Sequence, residues 1–263
     1  MKKLVYFLLP LIIVVSFLFQ SFKRIDGEDR VNKVKLFHLI EGVTIKMIWV
    51  EPGTFLMGSS NDELGRSSER ETQHEVVLSK GYWLAETEIT QQKWEKIMNY
   101  NPSLNIGGNL PVDQVSYIEI QEFLTKINRK SGTFRLPTEA EWEYACRAGS
   151  TSAYATSPID EMVWHIGNSG RQSHPVAQKM ANAWGFYDMQ GNILEWCSDW
   201  FQEDNTKDNF DPKGPESGVF KIQRGGQFTG RTKHTRAADR QREVPDSKDF
   251  FVGFRLAHDE LKN

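Results

Sequence analysis

The chain has 263 residues, with 32 Lys and Arg against 35 Asp and Glu, for a formal net charge of −3. Apolar residues make up 39 %, enough to build a core, which excludes a wholly disordered chain. The absence of a basic excess argues against nucleic acid as a partner.

Leu4 to Phe19 form one apolar run behind Lys2 and Lys3, the charged-then-apolar order of an export signal. As a helix, those residues span roughly 24 Å, short of the roughly 30 Å hydrocarbon core; extension to Phe22 nearly closes the gap. No small-x-small cleavage site follows, because the run ends in FQSFKR, and the first cysteine is Cys146. Residues 1–22 therefore read either as an uncleaved signal anchor or as a poorly matched cleavable signal. Both readings place the rest of the chain outside the cytoplasmic membrane, attached to it or released as a periplasmic or secreted protein. Residues 23–33, KRIDGEDRVNK, read as a polar linker, and residues 34–263 as one domain without repeats or Pro/Ser-rich breaks.

Within that domain, Val43, Ile45, Met47 and Trp49 alternate with other residues and predict a strand, ended by the turn Pro52-Gly53. A short helix is predicted over 90–100, with Thr90 as its cap and Trp94, Ile97 and Met98 on one face. A second runs from Tyr117 to about Arg129: Ser116 and Glu119 form a capping box, and Tyr117, Ile120, Leu124 and Ile127 make the apolar stripe. A third spans Glu139–Ala148, opened by the capping box Thr138/Glu141 and ended at Gly149. Residues 150–235 show hardly any periodicity; short strands are expected at Phe220–Arg224 and Phe251–Ala257. The class is α+β with long irregular stretches, whose backbone polar groups need side-chain or metal partners. The eight Trp add buried indole N–H groups that also need acceptors. Cys146 and Cys197 are either a disulfide or two buried thiols.

The segments VEPGTFLMGS (50–59), ETEITQQKW (86–94), LPVDQVSY (110–117), FRLPTEAEWEYACRAG (134–149), HPVAQKMANAWGFYDMQGNILEWCSDW (174–200), QRGGQF (223–228) and GFRLA (253–257) occur in this order. Together they resemble the successive signatures of the formylglycine-generating enzyme, or sulfatase-modifying factor, family. The resemblance covers roughly residues 42–258. It implies a single loop-rich domain with a C-type-lectin-like fold, often stabilised by calcium. It also implies an oxidase reaction that converts a sulfatase cysteine to formylglycine with copper held by two cysteines. Here the positions matching those cysteines are Gly230 and Thr235, and Gln227 stands where the enzyme has a serine. Soft Cu(I) needs soft ligands, so neither copper nor the copper-dependent reaction is expected. An iron-dependent branch of the family needs a histidine cluster, and the six histidines form no HxH or HxxxH pair. His234 and His165 would be the residues to look to for a redox metal held without cysteines, the alternative to a binding or accessory module for a protein, peptide or glycan.

The segment 191–196 matches the family's calcium-wrapping turn. The resemblance assigns Glu195 as a side-chain ligand, with Asn192 and Ile193 contributing, the hard oxygen donors calcium prefers. Asp188 and Asp199 read as turn and cap residues, and Asn168 as a remnant of the family's other calcium loop. Gln227, Arg231 and His234 lie in the segment that forms the family's active-site floor and are the candidate ligand-binding residues. Arg135, Arg224 and Arg255 are expected to brace loops through carboxylates, and Asp239, Arg240 and Arg242 to lie on the surface.

Overall fold

The computed structural model describes residues 33–129, 133–155 and 158–260. The expected N-terminal hydrophobic helix over 1–22, and all of the linker except residue 33, lie outside the described residues. No helix among the described residues is long and apolar enough to cross a membrane.

The elements are β1 (Val34–Ile40), β2 (Val43–Val50), β3 (Gly53–Met57), β4 (His74–Leu78), β5 (Tyr82–Ala85), α1 (Gln91–Met98), α2 (Tyr117–Ile127), β6 (Phe134–Arg135), α3 (Glu139–Arg147), β7 (Leu194–Trp200), β8 (Lys221–Arg224), β9 (Gln241–Glu243), β10 (Val252–Gly253) and β11 (Ala257–Asp259). One sheet has the order β1-β2-β5-β11-β6, a second β10-β7-β8-β9, and β3 pairs with β4 alone. The long stretches between these elements make the domain a loop-rich mixture of helix and strand.

Both capping boxes form: Ser116 and Thr138 each accept from the backbone N–H three residues on, and Glu119 and Glu141 reach back to the cap N–H groups. Thr90 stands at the N-cap of α1 but makes no side-chain cap bond, a departure from the sequence reading. Its hydroxyl instead accepts from Lys93 Nζ. Asn99 and Ala148, in the left-handed conformation, end α1 and α3.

The alternation read in β2 divides the two cores. Val43, Ile45 and Met47 join α1 and α2 residues such as Trp94, Ile120 and Phe123 on one side of the large sheet. Ile48 and Val50 join Trp142 and Cys146 of α3, with Trp184 and Phe186, on the other. The strand expected over 251–257 divides into two, because 252–253 pair with β7 in one sheet and 257–259 with β5 and β6 in another. β7 escaped the sequence reading: it is covered on both faces, so its side chains do not alternate between buried and exposed. Cys146 and Cys197 are both fully buried free thiols.

Candidate functional site

The segment after β8 turns on Gly225 and Gly226, whose φ values of 97° and 75° suit glycine. A Cβ on Gly226 would collide with the His234 carbonyl, so the loop doubles back directly over this residue. Neighbouring loops fasten the segment: Phe228 N–H donates to Asn192 O, Ile166 N–H to Gly230 O, Ser169 Oγ to Phe228 O, Tyr154 OH to Thr232 O and Gln190 Nε2 to Thr235 O.

Beneath it lies a buried ionic network. Arg224 donates to the carbonyls of Ala237 and Ala238 and to Glu143. Glu143 also receives Arg147 Nε at 2.8 Å and Gly58 N–H at 2.8 Å. Burial opposes its charge, but Arg147 and Arg224 hold its carboxyl below the usual range. Arg236 grips Glu71 through two nitrogens, at 2.7 and 2.8 Å, and reaches Glu63 at 2.6 Å. Arg240 grips Glu139 at 2.7 and 2.9 Å. Asp239 and Arg240 are thus buried, against the surface placement expected for them, because each forms part of this network. Arg242 does stay near the surface, paired with Glu203 at 2.8 Å. Arg135 pairs with Glu141 and Asp259, as a loop brace should.

On this platform Arg231 is exposed, His234 is half-exposed with Nδ1 3.7 Å from Asp239 Oδ1, and Gln227 is partly buried with Oε1 lacking a partner. The three share one loop. At Gly230, a Cβ would meet Gln227 O at 3.1 Å, a tight but tolerable approach, so sterics do not by themselves exclude a side chain there. Thr235 is buried and its hydroxyl donates to Thr232 O at 2.9 Å. Neither supplies a thiolate. Burial pushes the Cys146 thiol up to about 12 and the Cys197 thiol well above its ordinary value, which keeps both protonated. His165 is held by Asp160 and by Gly167 N–H; His174 bonds Ser169 O and stacks on Trp164 at 3.6 Å.

The side chains assigned to calcium already have protein partners. Glu195 lies in β7 and is fully buried. Arg255 contacts both its oxygens, at 2.6 and 2.7 Å, and Trp142 Nε1 adds a bond at 2.8 Å. Asn192 Oδ1 accepts from His174 N–H, its Nδ2 donates to Glu88 Oε1, and its carbonyl accepts from Phe228. Ile193 is buried beneath Gly253. A guanidinium thus holds the position a metal would need, so Glu195 and Asn192 do not fit calcium as assigned. Asn168 is likewise engaged, with Oδ1 accepting from His165 N–H and Nδ2 donating to Val163 O.

Beside this pair sit two acids of different standing in the sequence. Asp188, expected as a turn residue, accepts from Ala177 N–H at 2.7 Å, and Glu88 lies in the segment 86–94 with no role expected from the sequence. Both are buried; Glu88 Oε2 and Asp188 Oδ1 have no other donor among the described residues, and a proton on Glu88 bonds the two carboxyls to each other. Burial first, then the Asp188 charge, pushes the Glu88 carboxyl well up; burial pushes Asp188 up to about 6. A local signal could not have found the pair, since the two residues lie a hundred positions apart and meet only through the fold.

The family model of the sulfatase-modifying factor enzyme 1-like domain matches residues 41–260. The chain belongs to this family. It is 30 % identical over 208 residues to the formylglycine-generating enzyme of Mus musculus, a match covering 72 % of this chain and 54 % of that protein. It is 30 % identical over 210 residues to the formylglycine-generating enzyme of Thermomonospora curvata, covering 71 % of this chain and 67 % of that one. The match to a chaperone protein, LppX, of Paenibacillus barcinonensis is 26 % over 239 residues, covering 70 % of this chain and 79 % of that protein. The chain thus spans about half the length of the mouse relative. Among solved structures, Treponema denticola variable protein 1 shares the fold with a TM-score of 0.77 and 28 % identity, over 88 % of this chain and 100 % of that one.

Proposed function

We propose that this sulfatase-modifying factor domain is a binding or accessory module outside the cytoplasmic membrane, without the copper-dependent oxidase reaction. One observation carries the reading. The loop that bears the enzyme's cysteine pair is built and braced here by Arg224, Arg236 and Arg240, yet it holds Gly230 and Thr235 where thiolates are needed. A rigid scaffold with a changed surface suits recognition, because fold and site separate readily. The ligand surface is the loop carrying Gln227, Arg231 and His234, which offers an amide, a guanidinium and an imidazole to a protein, peptide or glycan. The extracytoplasmic location rests on the apolar run 4–19 behind Lys2 and Lys3. A relative of comparable length that is named a chaperone agrees with an accessory role. Calcium at Glu195 is no part of the reading.

The test is an aldehyde assay on a CxPxR peptide with the chain in the presence of added copper and oxygen, run beside peptide and glycan arrays. No aldehyde is expected, and array binding should fall at least tenfold in Arg231→Ala. Aldehyde formation would overturn the reading.

A further inference from the structure

A pocket of about 180 Å3 opens beside the start of α3, and none of its lining residues belongs to the loop of Gln227, Arg231 and His234. It is smaller than the roughly 300 Å3 of a site for a whole small molecule and suits a single group the size of a side chain. Met57, Ala140, Pro212 and Pro215 give it apolar walls. Two acceptors without donors also line it. Asp199 is 4 % exposed, and its hydrogen bonds, from Glu139 N–H at 2.9 Å and Ser198 Oγ at 3.0 Å, both fall on Oδ2. Oδ1 has no donor among the described residues. Gly214 keeps that oxygen uncovered: its φ is 69°, and a Cβ there would meet Trp200 O at 3.0 Å and Asp199 Oδ1 at 3.5 Å. Asn205 Oδ1 is buried and also lacks a partner.

Charge selects the sign of the occupant. Glu139 and Arg240 cancel within the wall: two guanidinium nitrogens hold Glu139, and the third donates to the carbonyls of Arg70, Gln202 and Glu203. At the rim Lys207 stands 79 % exposed beside Asp204, and Asp208 offsets its charge. Lys221 Nζ is turned to Ser198 O at 2.6 Å and to the rings of Tyr117 and Trp200. Asp199 is the carboxyl left over. Burial, then the Glu139 charge, pushes it up to about 7, as for an acid without a cation in contact.

We propose that this pocket binds a primary alkylammonium group, the end of a lysine side chain or of a free amine, with Asp199 Oδ1 and Asn205 Oδ1 accepting from its N–H groups. An ammonium carries three donors and no acceptor, which matches two open acceptors. A guanidinium fits less well, because its planar fork takes both oxygens of a carboxylate and Asp199 offers one. A metal ion fits no better. Calcium takes about six to eight oxygens, and no group of three His, Cys, Asp or Glu among the described residues could hold a metal. The methylenes of the alkyl chain lose water against Met57, Ala140 and the two prolines. Contact with the ammonium draws Asp199 back to its ionised form.

Isothermal titration calorimetry of the full chain in non-ionic micelles tests this, with Nα-acetyl-lysine N-methylamide as the probe. The norleucine analogue has the same side-chain carbons and no ammonium, and should bind at least about tenfold more weakly. Asp199→Asn should weaken the lysine probe by a similar factor. Asparagine keeps an acceptor for Glu139 N–H, so the start of α3 is retained. Asn205→Asp adds a charge at the second acceptor and should tighten binding about threefold. Butylamine separates the two sources, both within the proposal: affinity equal to that of the lysine probe assigns the site to free amines, and affinity about tenfold weaker assigns it to lysine in a polypeptide. Three results would overturn the proposal: no saturable binding of the lysine probe, equal binding of the norleucine analogue, or binding unchanged in Asp199→Asn. If Asp199→Asn does not fold, a lack of tightening in Asn205→Asp overturns it instead.

Discussion

Glu195→Gln separates a structural carboxylate from a metal ligand. In the native chain Glu195 and Arg255 are both fully buried and share two contacts at 2.6 and 2.7 Å. Glutamine keeps one acceptor but turns an NH2 group toward a guanidinium N–H donor, leaving Arg255 with that one oxygen and the carbonyls of Ala85, Glu86 and Tyr187. Removing one member of a buried ion pair costs about 3–5 kcal/mol. The Asp188 carboxylate beside Arg255 takes up part of the lost interaction, which sets the expectation at the lower end, about 3 kcal/mol. For a domain of this size that is a fall in melting temperature of about 6–12 °C. The assay is thermal unfolding by circular dichroism, with and without chelator. Because Arg255 supplies the positive charge, chelator should leave the native melting curve unchanged. The double variant Glu195→Leu/Arg255→Met should recover part of the loss, since neither charge is then stranded. The reasoning fails if Glu195→Gln is neutral, or if chelator lowers the native melting temperature and has no effect on the variant.

Further outcomes concern charge, backbone and thiols. Burial pushes Asp113 and Asp188 up to about 6 and Asp199 up to about 7. The unfolded chain therefore releases these protons first, near the ordinary carboxylate range of about 4. Their contribution to stability is complete below that range and is lost as pH rises through 6 to 7. Urea midpoints should fall between pH 5 and pH 8, and Asp199→Asn should flatten the slope; a rising midpoint would contradict the assignment. Gly226→Ala should destabilise by about 1–3 kcal/mol, since it combines a positive φ with a collision against the His234 carbonyl. A neutral result in urea unfolding would show that the loop shifts freely. Cys146 and Cys197 should resist a thiol reagent in the native chain and both react after unfolding; rapid native labelling would show that the core opens.

Much of this protein is written in interactions of short range. The two capping boxes, Ser116/Glu119 and Thr138/Glu141, each lie within four residues, so spacing alone locates the starts of α2 and α3. The alternation of β2 survives because its two faces meet different cores. The missing thiols at Gly230 and Thr235 are a matter of residue identity, which no fold can alter. The partners of buried charges are different in kind. Glu195 suits calcium when read beside Asn192, but Arg255, sixty residues on, occupies its oxygens. Arg240 looks like a surface residue until Glu139, about a hundred residues earlier, meets it in the interior. The reason is electrostatic. A desolvated charge requires a counter-charge in contact, and the fold brings that counter-charge from any distance along the sequence. Only after β7, β8 and α3 pack together is it decided whether a carboxylate meets a metal, a proton or a guanidinium.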